Sequence, residues 1–96
     1  MIKHTATFQL REDISSEESF EFFEAIYALK NITGVQEFEV LKRLETAGKS
    51  EYGMFMRFEN DEACNLYLVH PNHVLFVEQY WNKFVSDFKG ADYESI

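Results

Sequence analysis

The sequence predicts one α+β domain, residues 1–96, in which two helical segments lie on one face of a four-stranded antiparallel sheet. Four segments alternate apolar and polar residues with period two, which is typical of half-buried strands. Two other segments repeat their apolar residues every three or four positions, as amphipathic helices do. The chain has 96 residues and no repeat or linker that would divide it, so we expect one hydrophobic core.

The first strand and the first helix have clear boundaries in the sequence. Residues 2–10 alternate without a break, and His4 falls on the apolar side of this predicted strand. Ser15 and Glu18 have the spacing of a capping box, in which each residue satisfies a backbone N–H of the other. We therefore expect a helix that begins after Ser15 and ends near Asn31.

The middle of the chain supplies two strands joined by a turn. Residues 35–44 and residues 51–59 alternate, and residues 45–50 between them are predicted to turn. Glu37 and Glu39 share the polar face of the first of these strands. Two carboxylates at this spacing suggest an acid–base or metal pair, but solvated charges on an outward strand face explain them more simply.

The only proline of the sequence divides the second helix. Asn60 is a good N-cap for a helix that ends near His70, and the spacing puts Ala63, Leu66, Tyr67 and His70 on one side of this helix. Proline lacks an N–H and has a fixed φ, so a further helical segment is predicted to begin at Pro71. Its apolar stripe consists of Phe76, Val77, Tyr80, Trp81 and Phe84. Residues 85–93 form the last strand, which completes the β-α-β-β-α-β order of ferredoxin-like folds.

Composition and charge limit the class of partner. The chain is 46% hydrophobic and 17% aromatic, which indicates an ordered core. A net charge of −8 argues against nucleic acid or an anionic membrane as a partner, because both require a basic surface. The single cysteine, Cys64, supports no internal disulfide and favours a reducing compartment. No secretory segment opens the chain and no apolar run could span a membrane, so we expect a cytoplasmic protein.

Several polar side chains are predicted to converge between the sheet and the helices. His73 lies three residues before Phe76 and therefore on the buried stripe of its helix. His4 and Tyr52 lie on the helix-facing sides of their strands, and Tyr67 and His70 border the same region across the proline. An apolar cavity with a few placed polar groups is the usual form of a small-molecule site. The residues predicted to contact a ligand are His4, Tyr52, His70, Phe76 and Tyr80.

The two candidate catalytic residues are His73 and Tyr67. A histidine titrates near neutrality and can take or give a proton, and a tyrosine hydroxyl can donate to a developing oxyanion. A hydrogen-bonded core residue is the simpler interpretation of His73, and a helix cap or linker residue that of His70. Cys64 is interpreted as a small buried hydrophobic residue rather than a nucleophile.

No metal site and no cofactor are predicted. His70 and His73 have the spacing of a zinc-binding pair, but the proline between them bends the geometry. No cysteine pair or suitably spaced carboxylate lies beside them. The sequence also contains no glycine-rich phosphate loop and no nucleophile elbow.

With these residues in view, nearly the whole chain resembles the stress-responsive α/β-barrel (Dabb) family. The resemblance rests on the opening Met-Ile-Lys-His strand, the Thr33-Gly34-Val35 turn, the Phe58-Glu59-Asn60-Asp61-Glu62-Ala63 segment, the His70-Pro71-Asn72-His73-Val74 motif and the Asp92-Tyr93 pair. It implies a ferredoxin-like subunit and a homodimer in which two sheets pack into a dimeric α/β barrel. The predicted outer face of the sheet is only half polar, which is typical of a subunit interface. Its apolar members are Val35, Leu41, Phe55, Val85 and Ala91.

The resemblance implies two kinds of function. Many members of the family have no established activity or are linked to stress responses, so the first expectation is a dimeric ligand-binding or stress-related protein without demonstrated catalysis. Its ligand would be a small apolar or aromatic molecule. One branch, similar to the plant olivetolic acid cyclase, closes a linear polyketide by an aldol-type condensation without a cofactor. In that branch the general base corresponds to His73, the assisting tyrosine to Tyr67 and the N-terminal strand histidine to His4. The branch has a third-strand histidine where this sequence places Tyr52. A purely structural role, such as an oligomer building block, is the remaining alternative.

Overall fold

The computed structural model describes residues 1–44 and 50–96 of the chain. The strands are β1 (Ile2–Leu10), β2 (Gln36–Lys42), β3 (Glu51–Phe58) and β4 (Val85–Glu94). The helices are α1 (Ser16–Ala28), which continues into a 3-10 turn (Leu29–Asn31), α2 (Asp61–Val69) and α3 (residues 71–84). This order confirms the predicted β-α-β-β-α-β arrangement. Residues 45–49 of the predicted turn lie outside the described residues.

The sheet has the strand order β2-β3-β1-β4, and every neighbouring pair is antiparallel. β1 therefore lies in the interior of the sheet. His4 is opposite Met56 of β3 and opposite Asp92 of β4. Residues directly opposite one another in a sheet point to the same face. His4, Met56 and Asp92 consequently share the face that carries the helices.

The predicted caps of α1 and α2 are confirmed. The Ser15 hydroxyl accepts from the Glu18 N–H at 3.1 Å, and the Ser15 N–H donates to the Glu18 carboxylate at 3.1 Å. The Asn60 side-chain oxygen accepts from the Ala63 N–H at 2.9 Å. Each cap pairs a backbone donor that the first turn of a helix leaves free.

The helical segments on either side of Pro71 meet at an extended residue. α2 ends at Val69, and His70 has φ −62° and ψ 135°. The His70 Nδ1 accepts from the Asn72 N–H at 3.1 Å, so this side chain caps α3. The predicted split of the second helix at Pro71 therefore matches the structure.

α3 contains a wider turn that the sequence did not indicate. Its first part (Pro71–Phe76) is α-helical, the next five residues (Val77–Trp81) form a π-helical turn, and Asn82–Phe84 complete the helix. A π turn needs one more residue than an α turn, so it changes which later side chains share a face. Val77, Trp81 and Asn82 all reach the space beside β1 and β4.

The hydrophobic core lies between the sheet and the helices. Its largest fully buried side chains are Tyr67, Phe8, Phe22, Phe58, Ile26 and Met56. Cys64 is buried beside them, which agrees with its interpretation as a small buried hydrophobic residue. The sequence pattern placed Leu66 on the same side of α2 as Tyr67, but Leu66 is 61% exposed. The helix is rotated so that Cys64 and Tyr67, one turn apart, face the core.

The outer face of the sheet carries fewer apolar residues than predicted. Val35 and Val85 pack against the core and are not on this face. Leu41 is 50% exposed, and Phe55 lies beside it in a shallow groove. Glu37 is exposed and pairs with the Arg57 guanidinium at 3.1 Å, which agrees with a solvated charge rather than an acid–base pair.

Candidate functional site

A cavity of about 270 Å³ lies between the helix-facing side of β1 and β4 and the π turn of α3. Most of its wall is apolar, and the apolar side chains come from Leu29, Met54, Phe76, Trp81 and Phe88 among others. The polar groups of the lining come from His4, Tyr67, His73 and Asn82, together with the indole N–H of Trp81. Thr5 also lines the cavity, but its side chain lies on the outer face of the sheet with Phe55, where its hydroxyl donates to the Ala91 carbonyl at 2.7 Å.

Tyr67 occupies the centre of the polar wall. Its ring centroid is 4.5 Å from that of His73 and 5.9 Å from that of His4. The side chain is fully buried, and its hydroxyl has no hydrogen-bond partner within residues 1–44 and 50–96. Burial raises the pKa of the Tyr67 hydroxyl far above its usual value, and the nearby Cys64 adds to this effect. Tyr67 therefore stays protonated and can donate a hydrogen bond.

His73 is held in one tautomer by the backbone. Its Nδ1 lies 3.0 Å from the Leu68 carbonyl oxygen, which can only accept, so Nδ1 carries the proton. Burial lowers the pKa of His73 below 6.5. The hydrogen bond to Leu68 opposes this shift, and the charges of His4 and His70 add to it. The ring is therefore neutral at pH 7, and its Nε2 carries a free lone pair.

His4 is oriented by a carboxylate that sequence reasoning missed as a site residue. Its Nδ1 lies 2.5 Å from an Asp92 carboxylate oxygen, while 16% of the His4 side chain and 55% of the Asp92 side chain are exposed. Asp92 lies on the edge strand β4, and only the register of β1 with β4 brings it opposite His4. The sequence does place a histidine and an aspartate on the same face of two strands. It does not give the register of β1 with β4, which decides whether the two residues meet.

The predicted place of Tyr52 at the cavity is wrong. Tyr52 does face the helices, but it is opposite Phe8, four residues along β3 from the position opposite His4. Its ring centroid is 5.6 Å from that of Phe8 and 5.0 Å from that of Phe23. The alternation of a strand gives the face on which a residue lies, but not its position along the sheet.

His70 and Tyr80 also lie outside the cavity wall, contrary to the prediction. His70 is engaged as the cap of α3. The Tyr80 ring stacks on Phe76 with a centroid distance of 6.1 Å and lines a separate shallow depression. Because of the π turn, Trp81 and Asn82 line the cavity instead. Phe88 reaches it from β4 with its ring centroid 5.4 Å from that of Trp81.

The combined sequence and fold agree with one known family. Residues 2–95 match the family model of the stress responsive A/B barrel domain. The chain belongs to the Dabb family. The resemblance found in the sequence motifs is thereby confirmed. Among curated proteins, this Dabb chain has no significant match.

Several solved structures share the fold of this Dabb protein. A Dabb family protein from Mesorhizobium loti has 33% sequence identity and a TM-score of 0.87, over 99% of this chain and 96% of that chain. A dimeric protein of unknown function from Bacteroides fragilis has 27% identity and a TM-score of 0.76, over 98% and 95%. A hydroxynitrile lyase from Passiflora edulis has 12% identity and a TM-score of 0.83, over 99% and 95%, which shows the shared fold alone.

One further property concerns membranes. Within residues 1–44 and 50–96, each helix is too short or too polar to cross a bilayer.

Proposed function

We propose that this Dabb protein is a homodimer in which each subunit binds one small, neutral, apolar or aromatic molecule that carries an oxygen atom. The observation that supports this most strongly is the buried Tyr67 hydroxyl, which lacks a partner in the described chain. A buried donor without a partner costs about 1–3 kcal/mol. A ligand oxygen placed beside Tyr67 would remove that cost, so part of the binding free energy is already stored in the unliganded protein.

The cavity limits the size and charge of this ligand. Its volume of about 270 Å³ is just below the usual range of small-molecule sites, about 300–1,000 Å³. A single aromatic ring with short substituents is therefore the appropriate size. Trp81 and Phe88 provide aromatic surface against such a ring. Because Tyr67 is protonated and His73 is neutral at pH 7, the wall next to them offers no compensating charge to a carboxylate.

A second candidate function is cofactor-independent proton abstraction next to a carbonyl group. It is favoured by the Nδ1–H tautomer of His73, which leaves Nε2 as a base. His73 would take the proton from the carbon, and the Tyr67 O–H would donate to the oxygen on which negative charge develops. The resulting carbanion equivalent could attack a second carbonyl, as in the aldol-type closure catalysed by the cyclase branch of the family.

The homodimer would form through the outer face of the sheet. The exposed Leu41 and the neighbouring Phe55 supply apolar surface there. The similar structure from Bacteroides fragilis is described as dimeric, which supports the same assembly in this protein.

The test is a thermal-shift screen of one-ring aromatic ketones and phenols, each compared with the hydrocarbon that lacks the oxygen. A ligand present at 100 times its Kd should raise stability by about 2.7 kcal/mol. We expect oxygen-bearing compounds to shift the wild type and not the Tyr67→Phe variant, with Tyr80→Phe as the matched control outside the cavity. Equal shifts for the oxygen-bearing compound and its hydrocarbon would refute the proposed role of the hydroxyl.

The two candidate functions differ in one measurement. A ketone bound by the protein in D₂O should exchange its α-hydrogen for deuterium only if His73 acts as a base, and NMR detects this exchange. We expect His73→Gln to abolish such exchange while the ketone still binds. Binding without any exchange by the wild type would leave the ligand-binding function and reject the enzymatic one.

A further inference from the structure

Three side chains with different ligating atoms meet around His4, which is also one of the residues that line the cavity. They are His4 from β1, Cys64 from α2 and Asp92 from β4. One nitrogen, one sulfur and one carboxylate oxygen from these residues all lie within 4.8 Å of one another. Zinc binds these three atom types at about 2.0–2.3 Å, so the ligands of a tetrahedral ion lie about 3.3–3.8 Å apart. The three residues therefore already have nearly the spacing that one tetrahedral ion requires.

We propose that His4, Cys64 and Asp92 bind one Zn²⁺ ion per subunit. The ion would lie between the His4 nitrogen and the Asp92 oxygen, which now share a hydrogen bond, and would also contact the Cys64 sulfur. His4 and Cys64 are fixed by the interior strand β1 and by the buried side of α2. Asp92 is 55% exposed on the edge strand, so it can make the small movement that admits the ion.

A second observation indicates an additional group at this place. Tyr67 follows Cys64 by one turn on the buried face of α2, and its hydroxyl is fully buried without a partner in the described chain. Three protein ligands leave the fourth position of a tetrahedral zinc ion for water or a substrate atom. The Tyr67 ring centroid lies 5.9 Å from that of His4, so a water molecule in that position would provide an acceptor for the Tyr67 hydroxyl until a ligand oxygen displaces the water.

The ligand set also distinguishes among cations. Mg²⁺ and Ca²⁺ prefer six or more oxygen ligands, and this cluster offers a single carboxylate. A cysteine sulfur with an imidazole nitrogen selects softer ions such as Zn²⁺. The alternative is that Cys64 is only a buried apolar residue and that His4 and Asp92 only pair with each other. The proposed experiment separates these two outcomes.

The experiment titrates the chelator-treated protein with Zn²⁺ in a calorimeter, and with Co²⁺ while the absorption spectrum is recorded. We expect one ion per chain and a cobalt–thiolate charge-transfer band. Loss of an outer partner of a metal typically costs about 10–100-fold in affinity. We expect Cys64→Ser and Asp92→Asn, which each remove a direct ligand, to cost at least that much. Asp87→Asn, at another exposed aspartate of β4, is the matched control and should bind Zn²⁺ as the wild type does.

Several results would overturn the zinc proposal. They are the absence of saturable Zn²⁺ binding, equal affinity for Mg²⁺, or wild-type affinity in both Cys64→Ser and Asp92→Asn. If Cys64→Ser fails to fold, Cys64→Ala and the Asp92→Asn result decide the question. The zinc proposal does not rest on the small-molecule function, since Tyr67→Phe should lose recognition of the ligand oxygen yet still show the cobalt–thiolate band.

Discussion

Replacing Tyr67 with phenylalanine should stabilise the unliganded protein while it weakens ligand binding. The change removes one buried hydroxyl and leaves the ring, which packs 4.5 Å from the His73 ring and 5.2 Å from the Phe58 ring between centroids. An ordinary paired hydroxyl contributes about 1 kcal/mol to stability, whereas an unpaired buried one costs about 1–3 kcal/mol. We therefore expect the free energy of unfolding to rise by about 1 kcal/mol.

The assay is urea denaturation of chelator-treated wild type, Tyr67→Phe and Tyr80→Phe at one protein concentration, because the stability of the proposed dimer would depend on concentration. A gain of about 1 kcal/mol corresponds to a rise in Tm of about 4–8 °C for a domain of this size. The Tyr80 ring is only half-buried, so its variant should stay within about 0.5 kcal/mol of the wild type. A loss of 1 kcal/mol or more in Tyr67→Phe would show that the hydroxyl has a partner, and the main support for the ligand proposal would disappear.

Three further predictions concern pH, helix capping and assembly. The folded-state pKa of His73 lies below 6.5, so the unfolded chain binds this proton at a higher pH than the folded protein does. The free energy of unfolding should therefore fall as pH decreases below about 6.5. In urea denaturation between about pH 7.5 and 5.5, His73→Gln should flatten this dependence, and an unchanged slope would contradict the prediction. Ser15→Ala should lower the free energy of unfolding by about 1 kcal/mol, because the capping hydrogen bond is lost. Ser16→Ala in the first turn should change it little. Equal losses for the two variants in thermal melts would contradict the role of Ser15 as the N-cap. If the proposed dimer forms through the outer face of the sheet, Leu41→Glu should give a monomer in analytical ultracentrifugation, whereas Leu66→Glu on the exposed side of α2 should not. The reverse result would place the interface on the helices.

Local features were predictable because they depend on neighbouring residues. Ser15 with Glu18, Asn60 and Pro71 each act within one turn of helix, so their roles in starting a helix follow from spacing alone. The inward direction of His4 and Tyr67 also followed from periodicity. The burial of Leu66 was predicted in the same way and is wrong, because the tertiary packing of a helix selects among similar apolar stripes.

The amino-acid sequence by itself determined the element order, the helix caps, the break at Pro71 and the inward faces of β1 and β3, since all of these follow from local chemistry and periodicity. The tertiary structure decided which inward residues share one cavity. The register of β1 with its neighbours placed Asp92 beside His4 and moved Tyr52 away, and the π turn brought Asn82 into the wall. Register and helix widening depend on the packing of the whole core, and a periodic pattern carries no information about either.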